Sequence, residues 1–260
     1  MAGCALADLM PVANFRFYAE LNDFLPPERR FTEFAYEFLD AATVKDRIES
    51  FGVPHTEVDL ILVNGQPVDF ACRVRDGDRI SVYPVFEAFD ISGLTRLRPA
   101  PLRDPRFVLD VHLGRLAAYL RMLGFDTLYG NRGTDERLAE ISRREHRILL
   151  TRDVGLLKRG SVTHGYFLRA TAPRQQAVEA VARFDLARLA RPFSRCLRCN
   201  TPLAKADKRQ VLDRLPAQVA LLHDEFMRCP DCGRAYWEGG HFRRMRQWMD
   251  AEILAPALAR

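Results

Sequence analysis

The 260-residue chain has no apolar run approaching the roughly 20 residues that a membrane-spanning helix needs. Its first residues, Met1 to Val12, also lack the basic start and sustained apolar core of a secretory signal peptide. We therefore expect a cytoplasmic protein with no membrane partner. Cysteine is scarce, with six residues in all. In a chain without export signals, closely spaced cysteines favour metal binding over disulfides.

Acidic and basic residues are unevenly distributed. Residues 1–90 contain 8 Lys and Arg against 16 Asp and Glu, a balance of −8. Residues 91–260 contain 31 against 18, a balance of +13. The sign changes near Pro84–Pro105, which indicates a domain boundary. The basic second part favours a polyanionic partner such as nucleic acid, although a solvated arginine-rich surface would give the same count.

The sequence of the acidic first region predicts two strands, then a helix, then two more strands. Its order resembles a ubiquitin-like β-grasp domain, assigned to residues 12–92. Sulfur carriers and ubiquitin use a free C-terminal tail, whereas this chain continues, so we expect a module that docks a protein partner or the basic half of the same chain. The expected strands are Asn14–Tyr18, Phe31–Phe38, Val58–Val63 and Arg79–Tyr83, and the expected helix follows a cap at Thr43 and stops at Gly52.

Strands and helices alternate in the next region, after a proline- and arginine-rich linker at residues 93–105. This alternation over residues 106–190 predicts a parallel sheet in a three-layer α/β/α fold. The expected strands are Phe107–Asp110, Phe125–Tyr129, Ile148–Thr151 and Tyr166–Leu168, and the expected helices are His112–Leu123, one after Thr134 and one from Pro173.

Three aspartates follow strands of this predicted sheet. Asp110 ends the first strand, Asp135 opens the helix after the second, and Asp153 follows the third. Ligands of open parallel sheets gather beyond the carboxyl ends of the strands. Clustered carboxylates there favour a Mg²⁺ or Mn²⁺ ion that acts on a phosphodiester. Arg152 could hold a phosphate oxygen or neutralise an acid, and each aspartate could instead cap a helix or turn.

Four of the cysteines form two C-x-x-C pairs, Cys196 with Cys199 and Cys229 with Cys232. Four thiolates complete a tetrahedron around Zn²⁺, and such a closed site is structural rather than catalytic. The 29 residues between the pairs predict an insertion around Lys205 to Glu225, with room for a helix, inside a zinc ribbon assigned to residues 191–255.

Arginines and aromatic residues surround the cysteine pairs. Such a combination can hold phosphates while a ring stacks on a base. Trp237 could instead pack inside the ribbon, and His241 could serve only the structure. The residues predicted to bind RNA are Arg195, Arg198, Trp237, His241, Arg243 and Arg244.

The motifs together resemble the Mut-seven C-terminal RNase family, a branch of the PIN-like nucleases. Its members carry a zinc ribbon after the nuclease core, and many bacterial members carry a ubiquitin-like domain before it. The resemblance implies a metal-dependent ribonuclease and supports Asp110, Asp135 and Asp153 as the acidic site. A fourth PIN-like acid is not evident, and Asp126 is interpreted as structural. The matching segments are Asp110, Leu113–Ala117, Leu120–Thr127, Arg147–Asp153, Arg195–Asn200 and Tyr236–His241.

Three functions remain in competition. The leading one is a Mg²⁺- or Mn²⁺-dependent ribonuclease, with tRNA or rRNA as possible substrates and the zinc ribbon aiding RNA binding. The alternative is a non-catalytic RNA- or ribosome-binding adaptor, in which the aspartates only cap helices. The third is a nuclease that the acidic N-terminal domain holds inactive.

Overall fold

The computed structural model describes residues 10–40, 42–84, 97, 105–130 and 133–258. Contacts divide the chain into two compact units, Met1–Arg103 with Asp153–Gly160, and Asp104–Arg152 with Ser161–Arg260. The linker predicted at 93–105 falls almost wholly outside the described residues, and the predicted domain bounds stay predictions. Within the described part of the chain, every helix is too short or too polar to cross a bilayer.

The first unit contains a five-stranded sheet with the order β2-β1-β5-β3-β4. The first and last long strands, β1 and β5, run parallel in its centre, and the other neighbours are antiparallel. This is the β-grasp arrangement that the sequence predicted. Its elements are β1 (Val12–Phe17), β2 (Glu33–Glu37), α1 (Val44–Ser50), β3 (Val58–Val63), β4 (Gln66–Val68) and β5 (Arg79–Pro84).

Local signals explain these elements. Thr43 and Asp46 form a reciprocal capping box at the start of α1, and Gly52 takes a φ of +98° just after the helix ends. Asn64 and Gly65, with φ of +50° and +80°, make the tight turn between β3 and β4. The short strand β4 was not predicted, because its three residues include a proline and leave almost no alternation to detect.

The second unit is built on a four-stranded parallel sheet with the order β7-β6-β8-β9. Its middle strands are buried throughout, as parallel strands covered by helices are expected to be. The predicted α/β class is therefore confirmed. The elements are β6 (Phe107–Leu109), α2 (Gly114–Met122), β7 (Thr127–Tyr129), α3 (Asp135–Glu145), β8 (Ile148–Thr151), β9 (Gly165–Phe167) and α5 (Pro173–Arg183), with the short helix α4 (Val154–Leu157) grouped with the first unit.

The end of α2 sets where β7 begins. Gly124 takes a φ of +97°, and the amides of Gly124 and Phe125 bond back to the carbonyls of Arg121 and Leu120. The sequence predicts that the strand starts at Phe125. Because Phe125 belongs to this Schellman motif at the end of α2, β7 starts at Thr127 instead. A Cβ on Gly124 would lie 2.2 Å from the Arg191 carbonyl oxygen, so the close approach of that segment also requires glycine.

The C-terminal part of the second unit contains a small antiparallel sheet with the order β10-β11-β12. The predicted insertion holds two short helices. The last helix, α8, continues through a π-helical turn at Asp250–Leu254 and was not predicted. The elements are β10 (Ala204–Ala206), α6 (Lys208–Val211), α7 (Ala217–Leu222), β11 (Phe226–Arg228), β12 (Ala235–Tyr236), α8 (Gly240–Met249) and α9 (Ala255–Leu258).

Candidate functional site

The strand order of the parallel sheet has a switch point between β6 and β8. In chain order, β7 pairs with one side of β6, and β8 followed by β9 extends the sheet on the other side of β6. Open sheets of this kind bind ligands beyond the carboxyl ends of the strands at the switch point. Asp110 comes directly after β6, and its amide bonds to the Leu150 carbonyl of β8 at 3.1 Å.

Asp110 is a buried carboxylate, with 8% of its surface exposed. Its Oδ1 accepts the Val111 amide at 2.5 Å, and its Oδ2 accepts the Thr151 hydroxyl at 2.8 Å. Both donors are neutral. Among the residues that the structure describes, no lysine, arginine or histidine forms an ion pair with Asp110. Two well-placed neutral donors therefore orient the carboxylate, and within the described ranges no cation is paired with it.

The short turn after Asp110 is held from β7. The Tyr129 hydroxyl, at the end of that strand, donates to the Val111 carbonyl at 2.9 Å. A Cβ on Gly114 would lie only 2.7 Å from the same hydroxyl oxygen, so glycine at the start of α2 makes room for the tyrosine. Sequence patterns did not point to Tyr129 or Thr151, because their roles follow from strand register.

The other two aspartates also lie at helix starts. Asp135 is the half-buried first residue of α3, where Thr134 caps the helix through the Arg137 amide at 3.4 Å. Asp153 is exposed and accepts the Gly155 amide at 2.7 Å. Within the described ranges, the cysteines form a close group of three or more possible metal ligands, and the three aspartates form no such group. Their role as ligands stays a prediction.

Arg152 holds the loop after β9. Its Nη1 donates to the carbonyls of Leu168, Arg169 and Ala170 at 2.7, 2.8 and 2.9 Å. Glu179 accepts the amides of the latter two residues at 2.9 and 2.8 Å. Arg152 and Glu179 thus fix the loop by hydrogen bonds to its carbonyls and from its amides. This structural contact was not foreseen, and a phosphate-binding role for Arg152 stays a prediction.

The four cysteines converge as predicted. Their sulfur atoms all lie within 4.8 Å of one another, with Cys196 to Cys232 at 3.7 Å and Cys199 to Cys229 at 3.3 Å. Zinc–sulfur bonds of about 2.3 Å in a tetrahedron require sulfur separations of roughly 3.8 Å. The cluster therefore fits a zinc ion with no open coordination position.

Hydrogen bonds around the cluster favour the thiolate form that binds metal. Burial opposes ionisation of Cys196, but the Tyr236 hydroxyl at 3.2 Å, together with backbone donors, lowers the pKa of this thiol. A hydrogen bond to Thr201 is the largest of the causes that lower the pKa of Cys199 to about 6. Burial instead raises the pKa of Cys229 to about 12, so that thiol needs an adjacent cation to ionise.

The first cysteine pair docks on the amino edge of the parallel sheet, at the opposite ends of the strands from Asp110. Arg121 Nη1 donates to the carbonyls of Leu197 and Arg198 at 3.1 and 2.9 Å. Asn200 accepts the Thr127 amide at 3.0 Å. The contact joins the ribbon to the start of β7.

The residues predicted to bind RNA differ in the exposure of their side chains and in the contacts that these already make. Arg195 is half-buried and donates to the carbonyls of Gly124 and Asn200 at 3.1 and 2.8 Å, which gives it a structural contact. Trp237 is half-buried and lies beside Gly239, where a Cβ would meet its indole nitrogen at 2.8 Å. The remaining four side chains are exposed, and RNA binding by the whole set stays a prediction. These four are Arg198, His241, Arg243 and Arg244.

Two family models match the chain. One, described as the Mut7-C RNAse domain, matches residues 105–249, and the other, described as Mut7-C ubiquitin, matches residues 10–90. Neither curated proteins nor solved structures gave a match. The first model covers more than half of the chain, and both agree with the parallel sheet, the cysteine cluster and the β-grasp sheet. The chain therefore belongs to the Mut7-C RNAse domain family and carries the ubiquitin-like domain of that family before it.

Proposed function

We propose that the protein is a Mg²⁺- or Mn²⁺-dependent ribonuclease that hydrolyses RNA phosphodiester bonds at the carboxyl edge of its parallel sheet. The family match supports a nuclease-like domain. The single observation that carries the proposal is Asp110, a buried carboxylate at the switch point whose hydrogen-bond donors among the described residues are neutral. A buried charge without a partner is costly, and a hard cation would offset that cost.

A preformed cluster of acids is not required for such an ion. Mg²⁺ keeps several waters and usually binds through one or two carboxylates together with phosphate oxygens of the substrate. Asp135 and Asp153, which follow the neighbouring strands along the chain, are the proposed further ligands. When bound, the ion would activate water and neutralise charge on the phosphodiester.

The protein groups around Asp110 prepare it for this role. The Val111 amide and the Thr151 hydroxyl each occupy one acceptor position of a different carboxylate oxygen, so each oxygen keeps a free lone pair. Tyr129 and Gly114 hold the turn that presents the carboxylate. The zinc cluster, as a closed site, would brace the sheet and present arginines to RNA.

The test is Asp110→Asn, assayed on labelled single-stranded RNA with Mg²⁺ and with Mn²⁺. Asparagine has the same shape, and Thr151 can reverse its hydrogen bond, so the fold is retained. We expect cleavage to fall at least about 100-fold, the usual effect of removing one group that stabilises transition-state charge. Asp213→Asn, at an exposed acid in the insertion, is the matched control and should cleave as the parent does. Equal cleavage by the parent and Asp110→Asn would reject the proposal.

One observation favours a second function, a non-catalytic RNA- or ribosome-binding adaptor. Both Asp110 and Asp153 accept backbone amides at the start of a helical turn, which is what a purely structural cap does. An adaptor would bind RNA without cleaving it with either metal. Salt dependence does not separate the two functions, because both predict it.

A further inference from the structure

Helix α8 packs within the second unit through aromatic residues and carries exposed basic side chains. Phe242 lies against Phe193 with ring centroids 4.2 Å apart, and Trp248 lies against Tyr119 at 4.9 Å. Its exposed side chains include His241, Arg243 and Arg244. The helix is therefore anchored by Phe242 and Trp248, and basic side chains next to these contacts stay exposed.

The direction of α8 follows from these contacts. Helix α2 starts at the carboxyl end of β6 and ends before β7 begins, so its last residue, Met122, lies at the amino edge of the sheet. Phe193 bonds through its amide to the Met122 carbonyl at 2.7 Å, which places the start of α8 at that edge. Trp248 meets α2 nearly one turn closer to the carboxyl edge, at Tyr119. The helix thus runs from the zinc ribbon toward Asp110.

Two more arginines, Arg115 and Arg174, continue the basic surface toward the carboxyl edge of the sheet. Arg115 precedes Tyr119 by four residues, so both lie on one face of α2, with Arg115 in the first turn and exposed. Arg174, in the first turn of α5, lies over the Trp248 ring at 4.8 Å. Arg244 precedes Trp248 by four residues and shares its face of α8. The basic side chains therefore form a row from the ribbon to the carboxyl edge.

The arginines of this row differ from Arg246 in their charge partners. In the part of the chain that the structure describes, Arg115, Arg174 and Arg244 form no ion pair, whereas Arg246 on the other side of α8 pairs with Asp250 at 3.4 Å. A row of unpaired guanidiniums is suited to the phosphates of a nucleic acid backbone. The balance of +13 over residues 91–260 adds long-range attraction for the same ligand.

We propose that His241, Arg244, Arg174 and Arg115, here called the α8 track, bind the backbone of a single RNA strand and lead it from the zinc ribbon to Asp110. The proposal rests on the ribonuclease function above. Helix α8 alone is about 15 Å long, so the track spans several phosphates. A single strand fits a narrow row of this kind, because its backbone can follow the helix surface.

The test measures binding of a short fluorescein-labelled single-stranded RNA by anisotropy over a range of KCl concentrations, without added Mg²⁺. The triple substitution Arg115→Ala, Arg174→Ala and Arg244→Ala should weaken binding at least about tenfold. It should also reduce the slope of log affinity against log salt by about 2, because each phosphate on a single strand that the protein neutralises adds about 0.7 to that slope. Each of the three substitutions alone should weaken binding by less than the triple one, and Arg209→Ala, at an exposed arginine on α6, is the charge-matched control for these single variants and should bind as the parent does.

Binding is independent of cleavage, so the two proposals can fail separately. If Asp110→Asn still cleaves RNA but the triple variant loses RNA affinity, the α8 track is supported and the catalytic role of Asp110 is rejected. Unchanged affinity and salt slope in a triple variant that keeps the parent's zinc content and melting temperature would overturn the track. So would equal binding of a duplex of the same length, or binding of phosphatidylserine vesicles in place of RNA.

Discussion

The buried ion pair between Asp126 and Arg147 yields a sharp prediction about stability. Arg147, whose side chain is 7% exposed, donates from Nη1 to Asp126 Oδ1 at 2.7 Å, and Asn200 donates to the same oxygen at 2.7 Å. Asp126 therefore joins β8 to the zinc ribbon at the amino edge of the sheet. Replacement by alanine would leave a buried guanidinium with Glu145 at 2.8 Å as its remaining acid.

Removal of one partner of a fully buried pair costs about 3–5 kcal/mol. The Asp126 side chain is 23% exposed and Glu145 still neutralises part of the charge, so we expect the lower end of that range for Asp126→Ala. A loss of about 3 kcal/mol should lower the melting temperature by roughly 6–12 °C in a unit of this size. Urea denaturation followed by circular dichroism measures the free energy of unfolding directly. Asp213→Asn, at an exposed acid, should change it by less than about 0.5 kcal/mol.

The same pair predicts a pH dependence. Burial alone would raise the pKa of Asp126, but the hydrogen bonds from Arg147 and Asn200 outweigh it and lower the pKa. A carboxyl with a lowered pKa in the folded state stabilises the fold above its ordinary pKa of about 3.9, and this stabilisation is lost as the pH falls through the lowered value. The stability gap between the parent and Asp126→Asn should therefore be full at neutral pH and narrow below about pH 4. A gap below about 0.5 kcal/mol at neutral pH would refute the reasoning.

Two further substitutions test the helix end and the zinc cluster. Gly124→Ala should lower the free energy of unfolding by more than about 1–2 kcal/mol, because φ is +97° and the new Cβ would lie 2.2 Å from the Arg191 carbonyl oxygen. Gly130→Ala, where the described residues beyond its chain neighbours leave the added Cβ without a contact within 4 Å, is its control. Tyr236→Phe removes the hydroxyl that donates to Cys196 and should weaken zinc binding about tenfold in a chelator competition. Unchanged affinity would show that the phenol does not support the thiolate.

Local chemistry explains why much of the fold was predictable. Thr43 with Asp46, Asn64 with Gly65, and Gly124 act within a few residues, and the buried run of β6 reads directly as a central parallel strand. The C-x-x-C spacing places two thiols of each pair close together, so the convergence of the four cysteines on one metal site was predictable as well. Helix α8 was not predicted, because its arginines and aromatic residues are equally typical of an RNA-binding surface without regular structure.

The rest of the site depends on contacts between distant segments. That the Thr151 hydroxyl meets Asp110 follows from the register of β6 and β8, which no local pattern specifies. Asn200 reaches β7 only because the ribbon docks on the amino edge of the sheet. The sequence shows the charge of Arg152 but not the three carbonyls that its Nη1 contacts, because these belong to the loop after β9.

Binding of a hard cation at Asp110 is tested most directly by anomalous diffraction from crystals soaked in Mn²⁺. The proposed function predicts a peak roughly 2.0–2.3 Å from a carboxylate oxygen of Asp110, and its absence from crystals of Asp110→Asn. A parent crystal with no manganese at Asp110, at a concentration that saturates any cleavage activity, would contradict the ribonuclease proposal.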